Sequence, residues 1–345
     1  MARIVLGIGS SHTPLLTLGS EHWRHRAEAD YANQALNMSD GRLLRYDEVL
    51  AELGPRCAEQ ISPEILAQKE SACNAALDHL ADALSAARPD IVVIIGDDQR
   101  ELFGSSNQPA IAIFHGAQIV TCRKFPPDER EGWRNAMARG YLMDDQHTIP
   151  GAASFSENLI RGLVDEDFDI AACDRVEEPD AAGFGHAYGF IVKRLFRGRS
   201  LPVAPVLLNT YYGPNVPSAS RCWHFGQALR RVVEAVPDDL RVALIASGGL
   251  SHFVVDEDLD RKILGAMALG DAQTLTSIPR AALISGSSEI LNWIALAGAA
   301  GPLQMRWHAY HPLYRTPAGT GVGAAFAVWA PDADTHAAAG GDAHH

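Results

Sequence analysis

The sequence predicts an α/β fold, a single domain built on a central, mostly parallel sheet flanked by helices. Three observations predict it. Short runs rich in Ile and Val alternate with helical stretches over most of the 345 residues. The runs are bounded by Gly, Pro or Asp, as buried strands are. The helical stretches carry an apolar stripe: at 219–236, Phe225, Leu229, Val232 and Val233 share one face, with Arg230 and Arg231 off it.

In chain order, strands are expected at 3–9, 91–95, 110–114, 169–173, 203–208, 242–246 and 323–329. The first, with Ile4, Val5, Leu6 and Ile8, stops before Pro14. The second, Ile91 to Ile95, is apolar throughout, which suits a strand covered on both faces. Helices are expected at 68–87, 154–163, 187–196, 219–236, 256–265 and 287–297. Two stretches break the rhythm. Residues 15–66 are polar and read as a helical insertion with loops. Residues 123–151, with Pro126, Pro127, many charges and Pro150-Gly151, read as a long loop or lid. Residues 1–330 are expected to form one α/β domain, and 331–345, rich in Ala, Gly, Asp and His, a disordered tail.

A hydrophobic content of 47% is enough for a sizeable core, and a net charge of -13 argues against nucleic acid or an anionic membrane surface as partner. An anionic small substrate remains compatible with a local basic pocket. No apolar run has the length of a transmembrane helix, and the N-terminus enters a strand without a signal-peptide layout, so a cytoplasmic location is expected. Cys57, Cys73, Cys122, Cys173 and Cys222 are widely spaced and form no CxxC pair, which predicts neither a disulfide framework nor a thiolate zinc site.

Three predicted strands end in polar residues: the first at His12, the second at Gly96-Asp97-Asp98-Gln99, and the strand at 242–246 at Ser247-Gly248-Gly249-Leu250-Ser251-His252. As neighbours in a parallel sheet they converge on one crevice. His186 stands at a loop-to-helix junction in Gly185-His186-Ala187, and Glu289 sits near a helix start among Ile290, Leu291, Trp293 and Ile294. Histidines and a carboxylate gathered this way suggest a metal. Two histidines and one carboxylate with open positions are the usual site of non-haem Fe(II) oxygenases, and a further histidine off the metal supplies acid–base chemistry. Asn209 to Pro214 follows a strand and includes Tyr211 and Tyr212, candidates to line a substrate pocket.

These residues resemble the class III extradiol ring-cleavage dioxygenases. The matching pieces are Ser-Ser-His-Thr-Pro at 10–14, Gly-Asp-Asp-Gln at 96–99, Gly-His-Ala at 185–187, Ser-Gly-Gly-Leu-Ser-His at 247–252 and Ser-Gly-Ser-Ser-Glu at 285–289, with Trp293 following. The resemblance implies a fold of that type and an Fe(II)-dependent dioxygenase that cleaves a catechol-type aromatic, often carrying a carboxylate, with O2. It implies His12 and Glu289 as metal ligands, His252 as acid–base catalyst, His186 as an active-site histidine and Asp98 as an acid beside the second ligand. It further implies a homodimer or an assembly with a small second subunit.

The departure is at Gln99. The family pattern Asn-Asp-His reads Asp97-Asp98-Gln99 here, and the missing histidine is the second ligand. Gln99 is the first expectation for that ligand, through its amide oxygen. His147, His308 and His311 are alternatives. A chain that has lost its metal would be a non-catalytic partner subunit, and a metal-dependent hydrolase on the same scaffold is a third reading.

Overall fold

The computed structural model describes residues 1–124, 132–178 and 181–332. One nine-stranded sheet organises the chain. Its strands are β1 (Arg3–Ser10), β2 (Ile91–Asp97), β3 (Ile111–Phe114), β4 (Ala171–Cys173), β5 (Val203–Leu208), β6 (Arg241–Ser247), β7 (His252–Val254), β8 (Gln304–Tyr314) and β9 (Thr320–Ala330). The order is β7-β9-β1-β6-β2-β5-β3-β4, with β8 paired to β9. The central run β1, β6, β2 and β5 is parallel, and β3 pairs with β4 in parallel. β9 runs antiparallel to β1, β7 and β8, and β3 antiparallel to β5.

The α/β expectation holds, and the two-sided strand explains it. Ile91, Val93 and Ile95 of β2 join an apolar core with the helices Ala153–Asp165, Ala219–Ala235, Glu257–Leu269 and Ile290–Ala300. Val92 and Ile94 face a second core with Pro63–Ala87 and His186–Leu195. At about 2 kcal/mol for each buried aliphatic, these five residues contribute on the order of 10 kcal/mol.

The seven predicted strands and six predicted helices are present, with ends differing by a few residues. β7 and β8 were not expected. β8 is a half-exposed strand whose polar residues and internal Pro312 hide its alternation, and a proline is tolerated there because the strand has only one neighbour. Within 15–66 lie the helices Arg24–Ala32 and Tyr46–Leu53, short 3-10 turns, and a small ladder of Leu36–Asn37 with Leu43–Leu44. Residues 125–131 of the expected 123–151 loop lie outside the described residues, and the described part is more ordered than a loop. It holds the helix Gly132–Gly140 and a strand, Thr148–Pro150, paired to Gln118–Val120. Met137 and Tyr141, four residues apart, turn one buried face of this stretch inward. Residues 333–345 of the expected tail lie outside the described residues. No helix among the described residues is long and apolar enough to cross a membrane, and the five cysteines are unpaired.

Candidate metal centre and active-site cavity

The parallel pairing brings the carboxyl ends of β1, β6, β2 and β5 to one edge of the sheet. Ligands bind beyond that edge in open α/β sheets. A cavity of about 250 Å³ opens there, lined by His12, Gln99, Glu101, Tyr141, His186, Tyr211, His252 and Glu289 among others. The strand ends that were expected to converge do so.

His12 is buried two residues beyond β1. Its Nδ1 lies 2.8 Å from Ser247 Oγ, and that hydroxyl donates its own proton to the Ala187 carbonyl at 2.7 Å. Ser247 therefore accepts from His12 Nδ1–H, which leaves Nε2 with a lone pair. Nε2 is buried without a hydrogen-bond partner and faces Glu289 Oε2 at 3.4 Å. A lone pair set against a carboxylate in a buried site calls for a cation between them.

Glu289 ends a 3-10 turn, Ser285–Glu289, that leads into Ile290–Ala300. The backbone N–H of Gly249 donates to its Oε2 at 2.6 Å. Burial pushes its carboxyl up, but the His12 and His252 imidazoles in their protonated forms, together with this N–H, hold it below the usual carboxylate range. The close approach needs glycine in β6's exit loop. Gly248 has a φ of +157°, and a Cβ there would meet Glu289 Cβ at 2.9 Å.

His186 is the first residue of its helix. Its Nδ1 bonds Glu101 Oε1 at 2.8 Å, and Lys124 Nζ lies 3.3 Å from the same oxygen. Burial works against both charges, yet the contact outweighs it and holds His186 up to about 9 and Glu101 down to about 2. The His12 and His186 rings meet edge to face at 4.6 Å.

His252 begins β7. Its Nδ1 lies 2.9 Å from the Leu250 carbonyl, an acceptor only, so Nδ1 carries the proton and Nε2 is free. Burial pulls its pKa below the ordinary histidine value, outweighing the nearby Glu289 carboxylate. Its backbone is pinned from two sides: N–H donates to Ser287 Oγ at 2.8 Å, and Asn37 donates to its carbonyl.

Tyr211 lines the cavity, its hydroxyl 3.3 Å from Ser285 Oγ. Asp98 and Tyr212 are not among the lining residues. Asp98 accepts the backbone N–H groups of Glu101, Leu102 and Phe103, and Tyr212 packs under the Arg100 guanidinium at 4.2 Å. Gln99 does line the cavity, with its Nε2 donating to Asp97 Oδ2 at 3.0 Å. His147 bonds Asp144, and neither it nor His308 nor His311 lines the cavity.

Among the His, Cys, Asp and Glu side chains of the described residues, one group has metal-ligand spacing: His12, Asp97, His186 and Glu289, with one donor atom from each inside a 4.8 Å span. Imidazole and carboxylate donors suit a divalent transition metal. The orphaned His12 Nε2 points into this group, so the residues fit such an ion.

Residues 57–326 match the family described as the catalytic LigB subunit of aromatic ring-opening dioxygenase. The chain belongs to that family. It is also 30% identical over 191 residues to gallate dioxygenase of Pseudomonas putida, a match covering 52% of this chain and 53% of that protein. The chain thus aligns with about half the length of that relative.

Sequence reasoning passed over Asp97, Glu101, Arg26, Lys124, Tyr141 and Arg315, all at or against the cavity. Asp97 carried a signal, since a carboxylate closing a wholly apolar strand is costly without a role. Arg26 and Tyr141 come from the two irregular stretches. Arg315 is carried in by the turn before β9, which runs antiparallel to β1 and starts near β1's carboxyl end.

Proposed function

We propose that the protein is a non-haem Fe(II)-dependent extradiol dioxygenase that opens the ring of a catechol-type aromatic with O2. The observation that carries this reading is the convergence of His12, Glu289, His186 and His252 on one cavity of about 250 Å³, in a chain whose family opens aromatic rings. His12 and Glu289 would hold the metal, with a third ligand from the end of β2 at residues 97–99. When bound, Fe(II) supplies the Lewis acidity and redox chemistry that couple O2 to an aromatic diol.

The chain's own residues do the rest. His252, neutral because it is buried and with Nε2 free, takes the proton of a substrate hydroxyl and returns it later. His186, kept charged by Glu101, donates a hydrogen bond to developing negative charge. Tyr211 and Phe253 bound the ring, and the cavity suits a single substituted ring.

The cavity also favours an acidic substituent. Arg26 and Arg315 line it together with Lys124. Lys124 is paired with Glu101, and Arg315 with buried Asp30 at 2.8 Å. Arg26 Nε is buried without a hydrogen-bond partner. This leaves Arg26 as a further cation beside the Arg315–Asp30 pair, suited to a ring carboxylate. Gallate, which the matched relative's name gives as its substrate, is the first compound to try.

The test incubates iron-reconstituted protein with gallate, 3,4-dihydroxybenzoate and unsubstituted catechol, recording O2 uptake and the absorbance of ring-opened product. Uptake of one O2 per ring opened supports the reading. No turnover with any diol would overturn it, as would product formed without O2 uptake.

A further inference from the structure

We propose that Asp97, not Gln99, is the third metal ligand, so that the site is built from one imidazole and two carboxylates, His12, Asp97 and Glu289. This rests on the metal-dependent reading above. Asp97 closes β2 and is fully buried. Its carboxylate lies within the 4.8 Å span that holds the donor atoms of His12, His186 and Glu289. The Gln99 amide nitrogen is directed at Asp97 Oδ2 at 3.0 Å, so Gln99 orients the carboxylate. Asn292 supports the other oxygen at 3.4 Å.

Charge balance leads to the same assignment. Asp97 and Glu289 are two buried carboxylates side by side, a costly arrangement without an adjacent cation. The nearest cationic side chain, His186, is committed through Nδ1 to Glu101, itself a buried acid. His12 offers its Nε2 lone pair, not a proton. A divalent ion between His12 Nε2, Asp97 and Glu289 neutralises both carboxylates and fills the one unpartnered donor.

Each ligand then has its own support: Ser247 on His12, Gln99 and Asn292 on Asp97, and Gly249 N–H on Glu289. The histidine missing at 99 is matched by a carboxylate gained at 97, two residues earlier on the same strand end. Such a set is richer in oxygen than two histidines and one carboxylate, and it accepts Mn(II) alongside Fe(II).

The experiment titrates the metal-free full chain with Mn(II) and Co(II). Calorimetry reads affinity and the Co(II) absorption bands read the ligand field, in wild type, Asp97→Asn, Gln99→Leu and the double variant Asp97→Asn/Gln99→His. Circular dichroism confirms that each variant is folded. Removing a ligand should cost more than the 10- to 100-fold typical of an outer partner. Asp97→Asn is therefore expected to weaken Mn(II) binding about 100-fold or more and to alter the Co(II) bands. Gln99→Leu should weaken it about 10-fold and leave the bands in place. The double variant supplies an imidazole from position 99 and should recover binding. Wild-type binding that Asp97→Asn retains, or that Gln99→Leu abolishes, overturns the assignment alone. A wild-type chain that binds neither ion overturns the metal-dependent reading as well.

Discussion

Ionising Asp260 should destabilise the segment that presents His252. Asp260 lies on the helix Glu257–Leu269 and is fully buried. Its carboxyl accepts Ser251 N at 2.8 Å, Ser251 Oγ at 2.7 Å and the Tyr310 hydroxyl at 2.7 Å, so it anchors the residue just before His252. Burial pushes its pKa up, and these hydrogen bonds only partly offset that, leaving it at about 7 against an ordinary 3.8. Asp256 nearby pushes in the same direction as burial.

The folded state therefore binds this proton more tightly than the unfolded chain. The stabilisation is whole below pH 3.8 and is lost as pH rises to about 7, a total on the order of 4 kcal/mol. Between pH 5 and pH 8 the loss amounts to about 2 to 3 kcal/mol. Asp260→Asn mimics the protonated acid and removes this dependence. Urea unfolding of both proteins at pH 5 and pH 8 measures it, and the difference between them cancels the other titrating groups. The variant should gain about 2 to 3 kcal/mol on wild type over that interval. Stability curves that stay parallel from pH 5 to pH 8 would refute the reasoning.

His252→Phe should lower kcat about 100- to 10,000-fold while its iron content, read by metal analysis, stays at the wild-type level. Arg26→Gln should raise KM for carboxylate-bearing diols about 10- to 100-fold, the worth of a charge-assisted hydrogen bond, and leave unsubstituted catechol unaffected in steady-state assays. Gly9→Ala would set a Cβ 2.2 Å from the Trp293 ring, which backs the site through Nε1 donating to the Gly248 carbonyl. Overpacking of this kind should cost about 1 to 3 kcal/mol in urea unfolding.

Much of this site was legible in the sequence because its residues sit where local pattern meets topology. His12, His252 and the 96–99 segment each end an apolar run, and parallel strands send such ends to one edge. Gly248 allows a close approach to Glu289 that a Cβ would block. β8 was missed because only one of its edges is paired, which tolerates the polar residues and proline that disguise a strand. The resemblance implied Asp98 as a site acid, and in the structure its carboxylate accepts the backbone N–H groups of the turn at 101–103. Asp97 closes the apolar strand and Asp98 lies one residue beyond it, but which of the two faces the site is set by a backbone rotation that only the packed loop fixes.

The sequence by itself determined the fold class, the family and the strand ends that meet, because hydrophobic period and turn residues act within a few positions of each other. The tertiary structure alone decided which donors face one another. It turned His12 Nε2 on Glu289, placed Asp97 in the ligand group and directed Gln99 at it, and brought Arg26, Tyr141 and Arg315 from distant segments to the cavity. Those contacts depend on how separate elements pack, and a lone pair, a carboxylate or a guanidinium acquires its role only from what is buried beside it.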